Sequence, residues 1–104
     1  TGTYVAADGT RETIQSGDLA VQVLAQWTSP RTKITYPAGW QIQIPRLGVD
    51  FTVEPAIKDQ EMEVSFVYWE GAVTIAGTLD KTPVQGVGYV ELTGYGPQAS
   101  QYQR

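Results

Sequence analysis

Apolar and polar residues alternate along most of this chain, which is the signature of half-buried β-strands rather than helices. Leu19, Val21, Val23, Ala25 and Trp27 share one parity, with Gln22 and Gln26 on the other. Trp40, Ile42 and Ile44 alternate with Gln41 and Gln43. Val49, Phe51 and Val53 alternate with Asp50, Thr52 and Glu54, and Trp69, Val73, Ile75 and Leu79 with Glu70, Ala72, Thr74 and Thr78. Turn residues separate the runs: Asp8-Gly9, Ser16-Gly17-Asp18, Ser29-Pro30, Tyr36-Pro37-Ala38-Gly39, Leu47-Gly48 and Asp80-Lys81-Thr82-Pro83. The pattern predicts about seven short strands at the spacing of a sandwich or barrel. Short connections favour an antiparallel up-and-down meander. Residues 57–63 read as a short helical turn, and residues 97–104 as a frayed polar tail.

The last two strands make a hairpin whose faces can be assigned. Partners across an antiparallel pair point to the same side. Matching apolar to apolar places Trp69, Val73 and Ile75 with Val90 and Leu92. The opposite face then collects Glu70, Ala72, Thr74 and Ala76 with Tyr89, Glu91 and Thr93. A turn centred near Lys81 and Thr82 sets Glu70 opposite Thr93 and diagonal to Glu91. One face of this hairpin therefore carries two carboxylates among small residues and a tyrosine. Facing water, it is an ordinary polar outer surface. Facing a lumen or another domain, two neighbouring carboxylates repel and one tends to hold a proton, as a general acid requires.

Composition narrows the chemistry. The 104 residues are enough for one domain with a single core. The net charge is −4, and Arg31, Lys33 and Arg46 do not form a basic patch, so nucleic acid is not an expected partner. With no cysteine and no histidine, disulfides, thiol nucleophiles, Ser-His triads and the usual zinc ligands are excluded. No metal or cofactor is expected. No apolar run approaches the ~20 residues of a membrane-spanning helix. Residues 1–10 lack the basic-then-apolar order of a signal peptide, and a start at TGTYV reads as an excised fragment.

Four linked stretches carry a resemblance: W-T-S-P (27–30), Y-P-A-G-W (36–40), Y-W-E-G-A-V (68–73) and G-V-G-Y-V-E-L-T-G-Y (86–95). Together they resemble the carotenoid 1,2-hydratase family, the AttH-type lipocalin-like group often labelled predicted secreted hydrolases. The resemblance implies an all-β, antiparallel up-and-down lipocalin-like β-barrel, closed or partly open, with negligible helix. It also implies that residues 1–96 are the C-terminal domain of a two-domain protein whose N-terminal lipocalin-like domain is a partner. The implied ligand is a large apolar molecule, the implied reaction hydration of an isolated C=C in the intact protein, and the implied location periplasmic or secreted. A barrel lacking a strand would leave an edge open to pairing with a second copy. The alternative is a non-catalytic lipocalin-like carrier or structural module.

Alkene hydration needs a proton donor, shelter from stray nucleophiles and aromatic faces toward a carbocation. Glu70 and Glu91 are the candidate acids. Tyr68, Trp69, Tyr89, Trp27 and Trp40 are the candidate ligand-binding rings, with Tyr36 a further ring and Asp50 a weaker carboxyl. The tryptophans are in phase with apolar strand positions and so also read as core fillers. Tyr36-Pro37 reads as a turn that fixes the approach to Trp40. The glycines 86, 88, 94 and 96 read as bulges or bends, since no helix follows to make a phosphate loop. Arg46, following Pro45, is a candidate ion-pair partner for Glu70 or Glu91. Paired in that way, Glu70 would be a structural anchor instead of an acid.

Overall fold

The computed structural model describes residues 2–63 and 67–95. The expected tail, 97–104, and Gly96 lie outside the described residues. Among the described residues ten strands run β1 Gly2–Val5, β2 Arg11–Ile14, β3 Ala20–Val23, β4 Gln26–Thr28, β5 Thr35–Pro37, β6 Trp40–Ile44, β7 Val49–Pro55, β8 Glu61–Glu63, β9 Val67–Leu79 and β10 Thr82–Leu92. Helix among the described residues is limited to two three-residue 3₁₀ turns, Ser16–Asp18 and Pro45–Leu47. The main sheet is an antiparallel meander in the order β10-β9-β7-β6-β3, with β8 added to β9. It curls into a half-barrel. β1–β2 and β4–β5 form separate two-stranded ribbons.

The long apolar parity predicted across residues 19–27 is one strand in register but two in geometry. β3 pairs β6 with Val23 opposite Trp40, and β4 pairs β5 with Gln26 opposite Pro37. The two pairings are joined by Leu24 N–H to Gly39 C=O and Ala38 N–H to Ala25 C=O. The hairpin is thus continuous, with β4–β5 forming a two-stranded ribbon beyond the main sheet. Its loop ends at Lys33, which adopts a left-handed φ of 65° while its N–H reaches Ser29 C=O.

The last hairpin keeps the predicted faces with a different register. Glu91 lies directly opposite Glu70, and Leu92 opposite Trp69. The turn is the two-residue step Asp80-Lys81, both at positive φ (49° and 67°), as a mirror-image hairpin turn requires. Thr82 and Pro83 already belong to β10. Proline is tolerated there because β10 is an edge strand. The turn centre moves by one residue and each partner by two, so side chains stay on their expected faces.

The core lies on one face of this sheet. Ile34, Tyr36, Trp40, Val53, Trp69, Val73 and Leu92 form its buried cluster, with Trp27, Ile42, Val67, Ile75 and Val90 packed against it. The other face shows Asp50, Glu54, Thr74, Ala76 and Gln85 to solvent.

Segment 57–63, expected as a helical turn, instead ends in β8, which pairs with the start of β9. β7 pairs with the later part of β9, from Val73 to Leu79. Both strands therefore occupy the same edge of β9 and leave a gap between them. Gln60 fills it: its amide accepts from Ala72 N–H (2.9 Å) and donates to Ala72 C=O (3.1 Å) and Ile57 C=O (2.8 Å). Gly71 makes room, since a Cβ there would collide with the Gln60 side chain. The Trp69 indole N–H binds Lys58 C=O at 2.7 Å and pins the same connection.

Candidate functional site

Two carboxylate sites emerge, one on each side of the β8–β9 region. The first is the predicted one. The cross-strand register places Glu70 and Glu91 side by side on the face opposite the core. Glu70 is half-buried and Glu91 exposed. The Tyr89 hydroxyl donates to Glu70 Oε1 at 3.1 Å, and that bond, more than burial, pushes the phenol above its ordinary pKa. Tyr89 itself is 67% exposed, and Val87, on the same face, 84%. Tyr68 is half-buried beside Glu70 in the chain. Ala72 faces Tyr89, and Thr74 faces Val87, so small residues floor the space between the larger ones.

Arg46 does not join this group. It donates to Glu12 (3.5 Å), to Asp18 (3.1 Å) and to Thr13 C=O (3.1 Å), tying the β1–β2 ribbon to the turn after β6. The Arg46 form of the anchor is therefore corrected: Glu70 has Tyr89 as its hydrogen-bond donor instead. Asp50 is exposed and accepts from Gln41 and Gln43. Trp69, 1% exposed, and Trp40 are both in the core cluster. Trp27 is partly buried and stacks on Tyr36, with ring centroids 6.2 Å apart.

The second site was not visible in the sequence pattern. Glu61, at the start of β8, has a side chain with no solvent exposure. Its Oε1 accepts from Ser29 Oγ (2.6 Å) and Arg31 Nη2 (3.2 Å), and its Oε2 from Thr32 Oγ1 (2.7 Å) and Tyr36 OH (2.7 Å). Burial raises the Glu61 pKa, but the hydroxyl donors and Arg31 outweigh it and hold the carboxyl below its ordinary value. Burial, then the bond to Glu61, drives the Tyr36 phenol strongly upward. Tyr36 and Pro37, expected as a turn, are strand β5, and Tyr36 aims its hydroxyl at Glu61. Arg31 also holds Asp59 (3.0 Å) and Glu63 (3.0 Å) at the surface. The Ser29 hydroxyl further accepts the N–H groups of Arg31 and Thr32, which shapes the loop around the carboxylate. A carboxylate held ionised and enclosed by donors is a poor proton donor. Glu61 is an anchor that fixes the 29–36 ribbon to β8. The available signal was Glu61 closing the polar run Lys58-Asp59-Gln60-Glu61, within reach of W-T-S-P and Y-P-A-G-W only once the chain folds.

An open depression at the far end of the hairpin is lined by Ala76, Gly77, Pro83, Val84 and Gln85, none of them titratable. Among the described residues no cluster of acidic side chains has metal-binding geometry.

With this geometry in place, comparison with known proteins is decisive for kinship. A family profile described as AttH-like matches residues 1–95. The chain belongs to the AttH-like family. A solved AttH protein from Nitrosomonas europaea superposes with a TM-score of 0.75 at 32% identity, covering 89% of this chain and 28% of that one. Kievitone hydratase from Nectria haematococca superposes with a TM-score of 0.72 at 27% identity, covering 86% of this chain and 28% of that one. The chain thus spans a little over a quarter of each relative. No curated protein matched. The all-β antiparallel fold, a partly open barrel, and the family resemblance read from the four motifs both stand.

Proposed function

We propose that this chain is the C-terminal lipocalin-like domain of a hydratase of the AttH-like family, and that its β9–β10 outer face caps a large apolar ligand. The observation that carries the reading is the grouping on one face of Glu70, Glu91 and Tyr89 with the exposed Val87. An acid pair, a phenol and apolar surface meet there over a floor of small residues. Kinship with a hydratase supplies the reaction class. The buried face, filled by Trp40, Trp69 and Val73, serves as the domain's own core.

In this reading the N-terminal lipocalin-like domain covers the face and excludes bulk water, admitting the one molecule that reacts. Protonation of an alkene needs one proton on this carboxyl pair. Tyr89 occupies Oε1 of Glu70, leaving Oε2 to carry it. That proton goes to the less substituted carbon of an isolated C=C; the more substituted carbon becomes the cation. Tyr68 and Tyr89 offer ring faces to the cation. A water molecule then adds its oxygen to the cation and returns a proton to the carboxylate pair. The ligand is an apolar molecule of the acyclic carotenoid or kievitone kind, and the location is periplasmic or secreted.

The second reading, a non-catalytic carrier or structural module, draws on the tightly filled core face. Glu70→Gln in the two-domain protein separates them, with an acyclic carotenoid and kievitone as probe substrates. The acid reading expects loss of water addition with an unchanged melting temperature. Full turnover by that variant transfers the chain to the structural reading. The isolated 104 residues are expected to be inactive.

A further inference from the structure

The two edges of the main sheet are treated differently by the sequence. β10 carries the usual defences of an exposed edge: Pro83, the weak strand formers Gly86 and Gly88, and the charge of Glu91. β3, at the other end, carries none. From residue 19 to 25 it reads L-A-V-Q-V-L-A, with no charge, proline or glycine. Among the described residues its backbone pairs only with β6, and every residue from Ala20 to Val23 is exposed. Val21 is 55% exposed and Val23 48%, though both stand on the same face as the core residues Trp40 and Val53.

This segment is nearly symmetric about Gln22. Placed antiparallel against itself, it sets Val21 opposite Val23 of the second copy, Ala20 opposite Leu24, Leu19 opposite Ala25 and Gln22 opposite Gln22. We infer that β3 is a self-association edge on which a second copy of this chain pairs antiparallel about a two-fold axis at Gln22. Antiparallel pairing about such an axis keeps like faces together. Four valines would extend the apolar face of one half-barrel into the other, while the two glutamines meet on the polar face, where an amide donates and accepts equally well. The charge pattern permits this. The chain carries a net −4, yet the edge is neutral; the nearest acid in sequence, Asp18, is held by Arg46, and Asp50, two strands away, accepts from Gln41 and Gln43. A seven-residue edge covers less than the roughly 800 Å² per partner of a standard interface. The expected species is therefore a monomer–dimer equilibrium in the micromolar range, not a permanent dimer.

Sedimentation of the 104-residue chain across low to high micromolar concentrations tests this, with circular dichroism as the fold control. The wild-type chain is expected to shift from monomer to dimer. Gln22→Lys and Gln22→Glu, at an exposed position, each set like charges against each other at the axis and are expected to stay monomeric. An equimolar mixture of the two is expected to restore the dimer. Gln85→Lys, on the β10 edge, is expected to leave dimerisation unchanged. A wild-type chain that stays monomeric overturns the inference and leaves the edge to a strand from elsewhere. So does a dimer insensitive to Gln22→Lys, or one abolished by Gln85→Lys.

Discussion

Removing the Glu61 carboxylate tests whether that buried group, and not Glu70, anchors the fold. Its side chain has no exposure and receives three hydroxyl bonds of 2.6–2.7 Å and a guanidinium bond of 3.2 Å. Hydrogen bonds to a charged group contribute about 1.5–3 kcal/mol each, net of the exchange with water, and they do not add. Breaking a buried ionic group by removing one partner costs about 3–5 kcal/mol. Glu61→Ala is expected to fall in that range, because it leaves the Ser29, Thr32 and Tyr36 hydroxyls without their acceptor. Glu61→Gln keeps the shape and one acceptor oxygen, and about 2–3 kcal/mol is expected. For a domain of this size, 3 kcal/mol lowers the melting temperature by roughly 12–24 °C. Arg31→Ala should cost less than either, since that side chain is 47% exposed and its other partners lie at the surface. Urea unfolding followed by tryptophan fluorescence supplies the free energies. A pH series supplies a second, independent signature. The Glu61 pKa is lower in the fold than its ordinary value of 4.5, so the folded state binds fewer protons there than the unfolded state. Its stabilisation is complete above about that value and is lost as pH falls through the folded pKa. Glu61→Gln should lack this acid-side slope. A variant with wild-type stability and a wild-type acid transition would refute the anchor.

Two further substitutions probe the backbone. Lys81→Gly should stabilise the chain by about 0.5–1 kcal/mol in the same urea assay, because Lys81 sits at φ 67° in a turn that favours Asp-Gly; a loss of stability would contradict the turn assignment. Gly71→Ala should displace the Gln60 amide from the gap beside β9, costing about 1–3 kcal/mol and speeding hydrogen exchange at the Ala72 amide; unchanged exchange there would show that Gln60 does not hold the gap.

Alternation by twos is a local property, and it determined the strands, the antiparallel meander and the assignment of faces in the last hairpin. Those features survive a shift in register by two, because such a shift returns every side chain to its own face. That is why Trp69 and Leu92 fall on the buried side and Glu70, Tyr89 and Glu91 on the other, although the turn centres one residue earlier than expected. The four motifs likewise sufficed for the family. Tertiary structure decided what no local pattern encodes. Glu61 lies far along the chain from Ser29, Thr32 and Tyr36, and its neighbours Met62 and Glu63 are exposed. Only the fold, which brings Ser29, Thr32 and Tyr36 against the start of β8, encloses that carboxylate with donors. The choice of Glu12 and Asp18 as partners for Arg46 depends in the same way on where the β1–β2 ribbon lands. Polar residues far apart in sequence become an anchor through placement alone, and placement is set by the whole fold.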